Sequence, residues 1–254
     1  MKTLTLDNRD GIAIVTLNRP DVRNAFNDIV IAELTEVFAR LDARAAILQG
    51  AGKVFCGGAD VEWMKGSITR AEADNRADAE RMAAMFRTIN ECPCPFVGRL
   101  HGAAMGGGCG LAAVCDIVVA SDDTQFAFSE VKLGIIPAVI SSFALRKIGE
   151  SAARRYFITG EAFDAAEARR IGLVHEVAAP DQLDVKVAEI IELLRVAGPQ
   201  AAREAKKLIR TIMPLPWDDA LKYAAATIAR VRTSPEGQEG LRAFLEKRKA
   251  GWLS

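Results

Sequence analysis

The sequence predicts an α/β fold that is followed by a separate set of helices. Apolar runs of strand length alternate with helical patterns through the first half of the chain, which is typical of α/β proteins. The second half is mostly helical, and the change is complete near residue 195. The 254 residues are 50% hydrophobic, enough for one large core with a small appendage. We therefore expect a core over residues 1–195 and a helical region over residues 196–254.

Composition and charge exclude several classes of protein. Lys plus Arg and Asp plus Glu each total 33, so the formal net charge is zero. Nucleic-acid-binding proteins usually carry a basic excess, so we expect no nucleic-acid partner. The first ten residues lack the apolar run of a secretory signal, and no apolar segment is long enough to cross a bilayer. We expect a cytoplasmic protein with no membrane partner.

The five cysteines predict reduced thiols, because their number is odd and no secretory signal is evident. The Cys92-Pro93-Cys94 motif hints at a metal. A zinc site needs about four ligands, however. The only histidines, His101 and His175, show no metal-ligand spacing to these cysteines. We expect small apolar residues at the entry to a strand, and no metal site.

Strands and helices can be placed in order along the first half. The apolar run Ile12–Leu17 predicts a strand, and Asn27 is placed to cap a helix whose apolar residues recur about every turn. Residues 45–48 and 117–120 read as buried strands, and Phe96–Leu100 reads as another. Two further features belong to this half: a capping-box pattern, Thr69 with Glu72, and a small-residue helix at 109–115.

The second half contains several residues that typically begin or end helices. Asp164 with Glu167 predicts a helix start, and Pro199 and Pro235 stand where prolines favour the first helical turn. Three glycines are plausible helix stops: Gly149, Gly160 and Gly172.

Two glycine-rich segments, residues 50–60 and 101–110, each follow an apolar strand, and the second also opens a helix. Glycine lets a ligand approach the backbone closely and permits positive φ. A helix N-terminus offers unpaired N–H groups and a partial positive charge, which suit an oxyanion or a phosphate. Neither segment matches a known phosphate-binding motif. Residues 50–53 lack the spacing of the Walker motif, and residues 106–110 lack the full dinucleotide-binding pattern. A Gly-x-Ser-x-Gly elbow is absent too, so an oxyanion site or plain tight turns remain.

Taken in order, the motifs of this chain resemble those of the crotonase, or enoyl-CoA hydratase/isomerase, superfamily. The resemblance runs from Arg19 to Arg248, and the order and spacing of the motifs make it specific. The motifs are RNAFN at residues 23–27, FCGGADV at 55–61, GAAMGGG at 102–108, CDI at 115–117, FSEVKLGIIP at 128–137 and FLEKR at 244–248.

The resemblance implies a spiral of repeated strand-strand-helix units, with C-terminal helices that mediate trimerisation. We therefore expect a homotrimer, or a hexamer built as a dimer of trimers. The substrate implied is an acyl-CoA thioester, so coenzyme A belongs to the substrate and no permanently bound cofactor is expected. The main-chain N–H groups of Ala59 and Gly107 are implied to form an oxyanion hole for the thioester carbonyl.

The same resemblance implies which residues contact coenzyme A. The residues expected to cradle it are Arg23, Ala25, Ala59, Asp60, Val61 and Glu62. Phe244 and Lys247 resemble residues that reach the nucleotide end, often from a neighbouring subunit. Asp60 is also, and preferentially, expected to cap the following helix. Trp63 either packs into the core or lines the acyl or pantetheine region.

Glu130 resembles the family's acid/base glutamate, and its apolar neighbours predict a dry pocket in which the pKa of its carboxyl rises. Enoyl-CoA hydratases typically carry a second catalytic glutamate, and Gly110 stands at that position here. Relatives with a single glutamate include Δ3,Δ2-enoyl-CoA isomerases and some hydratases of unusual substrates. For two other residues a structural role is favoured: His101 bonded to the backbone, and Asp116 as a hydrogen-bond acceptor at a strand entry.

Residues 138–142 depart from the glycine-rich run of many relatives. With Gly110 and Glu130, they resemble bacterial 3-methylglutaconyl-CoA hydratases and the related isohexenylglutaconyl-CoA hydratases. These substrates carry a free carboxylate, and we hypothesise that this carboxylate, or a positioned water network, partly replaces the missing glutamate. The alternatives left open are an isomerase that uses Glu130 alone, a dehydratase of substrates bound to acyl carrier protein, and a non-catalytic acyl-CoA- or RNA-binding protein.

Overall fold

The computed structural model describes residues 1–253, apart from the side chain of Ser67. The strands within these residues are β1 (Leu4–Arg9), β2 (Ile12–Leu17), β3 (Ala45–Gly50), β4 (Phe96–Leu100), β5 (Ala103–Met105), β6 (Ile117–Ser121), β7 (Gln125–Ala127), β8 (Ala162–Asp164) and β9 (Glu176–Ala178). The helices are α1 (Asp28–Arg40), α2 (Val61–Ile68), α3 (Glu72–Glu91), α4 (Gly107–Val114), α5 (Ala138–Thr159), α6 (Ala165–Arg170), α7 (Leu183–Val196), α8 (Pro199–Ile212), α9 (Trp217–Arg232) and α10 (Pro235–Leu245).

The strands form two sheets, which confirms the predicted α/β fold. The large sheet has the order β1-β2-β3-β4-β6-β9, and all its pairs are parallel except β1 with β2. The small sheet has the order β5-β7-β8. The four strands predicted from apolar runs are all present in the large sheet. The edge strand β1 and the three-residue strands were not predicted, because segments so short or so exposed show no apolar run.

The large sheet is buried on both faces, as expected for parallel strands. On one face, its side chains join α1, α3, α4 and α5 in the main hydrophobic core. On the other face, Ile12, Ala45 and Val97 pack against α7. Cys92 and Cys94 belong to the main core, which confirms that they act as small apolar residues beside the entry to β4.

Helix capping follows the sequence at most positions. The side chain of Asn27 accepts a hydrogen bond from the Val30 N–H, and Asp164 accepts one from Glu167. Prolines occupy the first turns of α8 and α10, and Gly160 ends α5 with a φ of 60°. Gly149, with a φ of 70° and a ψ of 167°, divides α5 into two helices at a kink, which confirms it as a helix stop.

The capping box predicted for Thr69 and Glu72 is wrong. Thr69 is the last residue of the turn that ends α2, and α3 begins at Glu72 after Ala71 with no side-chain cap. The two helices are too close in sequence for Thr69 to open the second one.

The C-terminal helices α8, α9 and α10 pack on one another and are held to the core by charged groups. The Lys206 ammonium on α8 donates to the Asp116 carboxylate at 2.7 Å and to the Cys94 carbonyl at 3.1 Å. Arg203 pairs with Asp42 at 2.6 Å. The division into regions 1–195 and 196–254 stays a prediction. Among the described residues, no helix is long and apolar enough to cross a membrane.

Asn24 joins the segment before α1 to the first glycine-rich segment. It is 1% exposed; its side-chain oxygen accepts from the Arg19 N–H, and its amide donates to the carbonyls of Ala51 and Val54. We expect Asn24→Ala to lower the free energy of unfolding by about 2–4 kcal/mol, because it leaves buried backbone groups unpaired. Urea denaturation measures this. The control is Asn8→Ala, which removes one exposed hydrogen bond; equal losses would contradict the prediction.

Candidate active site

The two glycine-rich segments lie side by side in parallel. The Cys56 N–H donates to the Ala103 carbonyl at 3.0 Å, and the Met105 N–H donates to the Cys56 carbonyl at 3.0 Å. This pattern pairs Cys56 with Ala104. Three residues further along each segment lie Ala59 and Gly107. The two positions implied to form an oxyanion hole are therefore matched in register.

A glycine with positive φ precedes each of these two positions. Gly58 has a φ of 98° and Gly106 has a φ of 47°. A β-carbon added to Gly58 would lie 3.1 Å from the Met105 carbonyl oxygen, so a side chain would press on the neighbouring segment. Glycine is required at both positions because other residues rarely adopt this backbone region. The turn redirects the next peptide, whose N–H belongs to Ala59 or Gly107.

The N–H groups of Ala59 and Gly107 have no hydrogen-bond acceptor among the residues that the structure describes. Gly107 is the first residue of α4, and an N–H in the first helical turn has no partner within the helix. It also carries the partial positive charge of the helix N-terminus. Both amides are thus available to an oxygen atom with developing negative charge.

The carboxyl group of Glu130 lies against Gly106. Glu130 belongs to a short 3-10 helix, Ser129–Leu133, and a β-carbon added to Gly106 would lie 3.1 Å from its Oε1 atom. Its Oε2 atom is buried and has no hydrogen-bond partner within the described part of the chain. Burial raises the pKa of the Glu130 carboxyl, as the sequence predicts. A carboxyl of this kind suits proton exchange near neutral pH.

Gly110 lies one turn after Gly106 on α4, and its N–H donates to the Gly106 carbonyl at 3.2 Å. A β-carbon added to Gly110 would lie 2.4 Å from Cγ2 of Ile140 and 2.9 Å from Cζ of Phe86. Apolar side chains therefore fill the space that a glutamate at this position would enter. No second carboxylate can be placed there without moving them.

Comparisons with known proteins decide the family. The model of the enoyl-CoA hydratase/isomerase family matches residues 7–254. The chain belongs to the enoyl-CoA hydratase/isomerase family. A short-chain-enoyl-CoA hydratase of Clostridium acetobutylicum is 32% identical over 255 residues, which cover 98% of this chain and 97% of the relative.

Solved structures of the family agree with this fold. AtuE of Pseudomonas aeruginosa superposes with a TM-score of 0.95 at 36% identity, and the match covers 99% of this chain and 100% of the relative. An enoyl-CoA hydratase of Shewanella pealeana superposes with a TM-score of 0.93 at 37% identity, covering 98% and 96%. The predicted superfamily is confirmed.

Three of the residues predicted to cradle coenzyme A, Arg23, Ala25 and Asp60, lie close to Ala59 in this family member. The Gly57 N–H donates to the Arg23 carbonyl at 2.7 Å, and Ala25 is buried beside this contact. Asp60 caps α2 by accepting from the Glu62 N–H at 2.9 Å and pairs with Arg19 at 2.8 Å, which confirms the capping role. Contact of this cluster with coenzyme A stays a prediction.

Other predicted residues are dispersed or structural. Val61 is exposed at the start of α2, and Glu62 pairs with Lys65. Phe244 is 82% exposed on α10, a helix that packs on α8 and α9; Lys247 follows it with a φ of 53°. Their contact with a nucleotide also stays a prediction.

His101 and Asp116 have the structural roles that the sequence favours. Trp63 has one of the two roles that the sequence leaves open. The His101 Nε2 atom lies 2.9 Å from the Gly52 carbonyl oxygen, so this nitrogen carries the proton. Asp116 accepts from the Phe96 N–H at 2.9 Å, at the start of β4. Trp63 packs against the core and donates to Asp28, and this favours the packing role.

A cavity of about 620 Å³ lies at the carboxyl ends of the large-sheet strands, and its wall includes Arg99, His101 and Asp184. Its lining includes neither Glu130 nor the amides of Ala59 and Gly107. The cavity reaches the first residues of both glycine-rich segments, 50–53 and 101–102, but not Ala59 or Gly107 further along them. The packing of Phe26 on Gly107 and of Phe86 on Gly110 leaves no periodic signal in the sequence, because each contact joins residues 24 or more positions apart.

We expect Gly110→Ala to lower the free energy of unfolding by about 1–3 kcal/mol, the usual cost of overpacking. Combining it with Ile140→Ala should cost less than the sum of the two single changes, because the smaller side chain frees the space. Urea denaturation of the three variants measures this. Gly66→Ala is the control, since a β-carbon there makes only ordinary contacts. Full additivity would contradict the steric interpretation.

Proposed function

We propose that this chain is an enoyl-CoA hydratase, which reversibly adds water across the double bond of an α,β-unsaturated acyl-CoA. The observation that carries the proposal is the meeting of three groups at the N-terminus of α4. Two unpaired amides are matched in register, and a buried carboxyl lies beside the glycine that precedes one of them.

The two amides supply the electrostatic part of the reaction. Attack of water at C3 pushes charge onto the thioester oxygen, and the N–H groups of Ala59 and Gly107 donate to that oxygen. Preorganised donors of this type are each worth about 2.7–4 kcal/mol. Because both donors are main-chain groups, the activity depends on the backbone conformations set by Gly58 and Gly106.

Glu130 supplies the proton transfer. Its carboxylate removes a proton from the attacking water while the water oxygen bonds to C3, and the carboxyl then gives that proton to C2. One group can do both because the proton taken up is the proton returned. Burial, which raises the pKa of Glu130, brings the two protonation states closer in free energy at neutral pH.

The substrate that we propose is a branched enoyl-CoA with a free carboxylate on the acyl chain, such as 3-methylglutaconyl-CoA. The packing of Ile140 and Phe86 on Gly110 leaves no place for a second protein carboxylate to hold the water. A carboxylate on the substrate can provide that hydrogen-bond acceptor. The residues that begin α5 and include Ile140 would then shape the acyl pocket.

The same packing also favours a second candidate, a Δ3,Δ2-enoyl-CoA isomerase. Double-bond migration needs only one group to move a proton between C4 and C2. Glu130, whose carboxyl lies against Gly106, can do this without any water. The two candidates differ in their product, which is a 3-hydroxyacyl-CoA for the hydratase and a shifted double bond for the isomerase.

A substrate panel tests these proposals. The purified protein is incubated with crotonyl-, 3-methylcrotonyl-, 3-methylglutaconyl- and 3-enoyl-CoA, and products are separated by chromatography. We expect hydration of 3-methylglutaconyl-CoA to be fastest, and Glu130→Gln to lower kcat by a factor of about 10²–10⁴ because it removes the acid/base group. Faster hydration of crotonyl-CoA would contradict the proposed substrate. Migration without any 3-hydroxy product would favour the isomerase, and full activity of Glu130→Gln would contradict the role of Glu130.

We also propose that the C-terminal helices join three chains. They expose large apolar side chains that a second copy can cover: Ile209, Met213, Trp217, Leu221, Ile228, Leu241, Phe244 and Leu245.

Light scattering should then give three or six times the mass of one chain. Leu245→Glu, at a side chain that is 78% exposed, should shift the protein toward smaller species. Ile68→Glu, equally exposed on α2, should not; a monomeric parent protein would contradict the proposal.

A further inference from the structure

We propose that Phe26 is a positioning residue that holds both amides, Ala59 and Gly107, in the geometry of one oxyanion hole. The inference rests on the proposed function and adds a residue to it. Phe26 contacts the first glycine-rich segment through its main chain and the second through its ring. Because the residue is 1% exposed, neither contact is shared with solvent.

The main chain of Phe26 fixes the peptides on both sides of Ala59. The Phe26 N–H donates to the Gly58 carbonyl at 2.8 Å, and its carbonyl accepts from the Asp60 N–H at 2.8 Å. This is the pattern of a parallel pair between Phe26 and Ala59. In such a pair one residue bonds to both neighbours of the other. The N–H of Ala59 is therefore turned away from Phe26, toward the side of its segment that pairs with residues 103–105.

The ring of Phe26 fixes the other donor. A β-carbon added to Gly107 would lie 2.8 Å from Cε2 and 3.0 Å from Cδ2 of this ring. The backbone of Gly107 therefore rests directly on the ring, with no room for a side chain between them. Any shift of the ring away from this place leaves a gap beneath the first residue of α4.

Further aromatic packing keeps the ring in place. The centroids of Phe26 and Phe86 are 6.1 Å apart, and those of Phe86 and Phe143 are 6.0 Å apart. Phe86 is fully buried and also contacts the position of Gly110. Close-packed side chains transmit displacement because few voids can absorb it. The ring of Phe26 thus behaves as a rigid spacer between the two segments.

The test compares Phe26→Leu and Phe26→Ala with Phe38→Leu and Phe38→Ala. Phe38 is as buried as Phe26 but packs on Phe96, away from the glycine-rich segments. We expect kcat to fall about 10-fold for Phe26→Leu and about 100-fold for Phe26→Ala, since small misplacements of catalytic groups are costly. KM should change much less. The Phe38 variants should lose similar stability and keep kcat within about twofold.

A spectroscopic readout separates positioning from simple loss of stability. The infrared band of the labelled carbonyl in [1-¹³C]butanoyl-CoA, which cannot be hydrated, reports hydrogen bonds to the thioester oxygen. We expect binding to the parent protein to lower the frequency of this band. The lowering should be reduced in Phe26→Ala and kept in Phe38→Ala. A Phe26→Ala variant with the full lowering would overturn the proposal.

A reciprocal pair tests the ring contact itself. Gly107→Ala should lower kcat strongly, because its β-carbon meets the ring of Phe26. Phe26→Ala with Gly107→Ala should lose at least tenfold less activity than the product of the single losses, since the methyl group then has room. If the activity of the double variant instead falls by the product of the two single losses, contact between the Gly107 β-carbon and the ring is not the cause of the loss in Gly107→Ala.

These outcomes distinguish the inference from the proposed function. A parent protein that shifts the carbonyl band but turns over no enoyl-CoA contradicts the hydratase proposal, and loss of that shift in Phe26→Ala still supports positioning. Turnover with no band shift overturns both the oxyanion hole and the role of Phe26. Turnover in which the Phe26 and Phe38 variants fall equally overturns only the role of Phe26.

Discussion

The pairing of Cys56 with Ala104 is the constraint on which the site depends. Two main-chain hydrogen bonds set the register of the two glycine-rich segments, and Ala59 and Gly107 each lie three residues beyond the pair that these bonds join. A slip of one residue would turn one of the two peptides to the opposite side, because strand geometry alternates. The strands β3 and β4, which lead into these segments, are themselves parallel neighbours, but the offset changes from 50 residues at Gln49 and Arg99 to 48 at Cys56 and Ala104, so the pair at Cys56 sets the register locally.

Burial then decides what the paired amides can do. Glu130 is half-buried, which raises the pKa of its carboxyl, and its Oε2 atom has no hydrogen-bond partner in the described chain. A low dielectric strengthens the attraction between fixed N–H groups and an oxygen that gains charge. The packing of Ile140 and Phe86 on Gly110 leaves no room at that position for a second carboxylate.

Sequence patterns predicted the elements with long periodic signals and the positions with fixed chemical motifs. The limits of β2 and β4 were predicted to the residue, because each is a mostly apolar run that begins and ends with a large apolar residue. Strand β5 was not predicted, since three residues are too few to show a hydrophobic periodicity. The Thr69 signal was misleading because a capping motif does not show which of two adjacent helices it serves. The contacts of Phe26 with Gly107 were beyond prediction, because 81 residues separate them and only the fold brings them together.

The proposed function requires the amides of Ala59 and Gly107 to bind one carbonyl oxygen. A crystal structure of the protein with a bound acyl-CoA, refined to a resolution that shows the thioester carbonyl, tests this most directly. We expect the carbonyl oxygen about 2.7–3.1 Å from the main-chain nitrogens of both Ala59 and Gly107, with C2 facing the Glu130 carboxyl. A thioester whose oxygen is bound by other groups, or which lies in the cavity beside Arg99 and Asp184, would contradict the account.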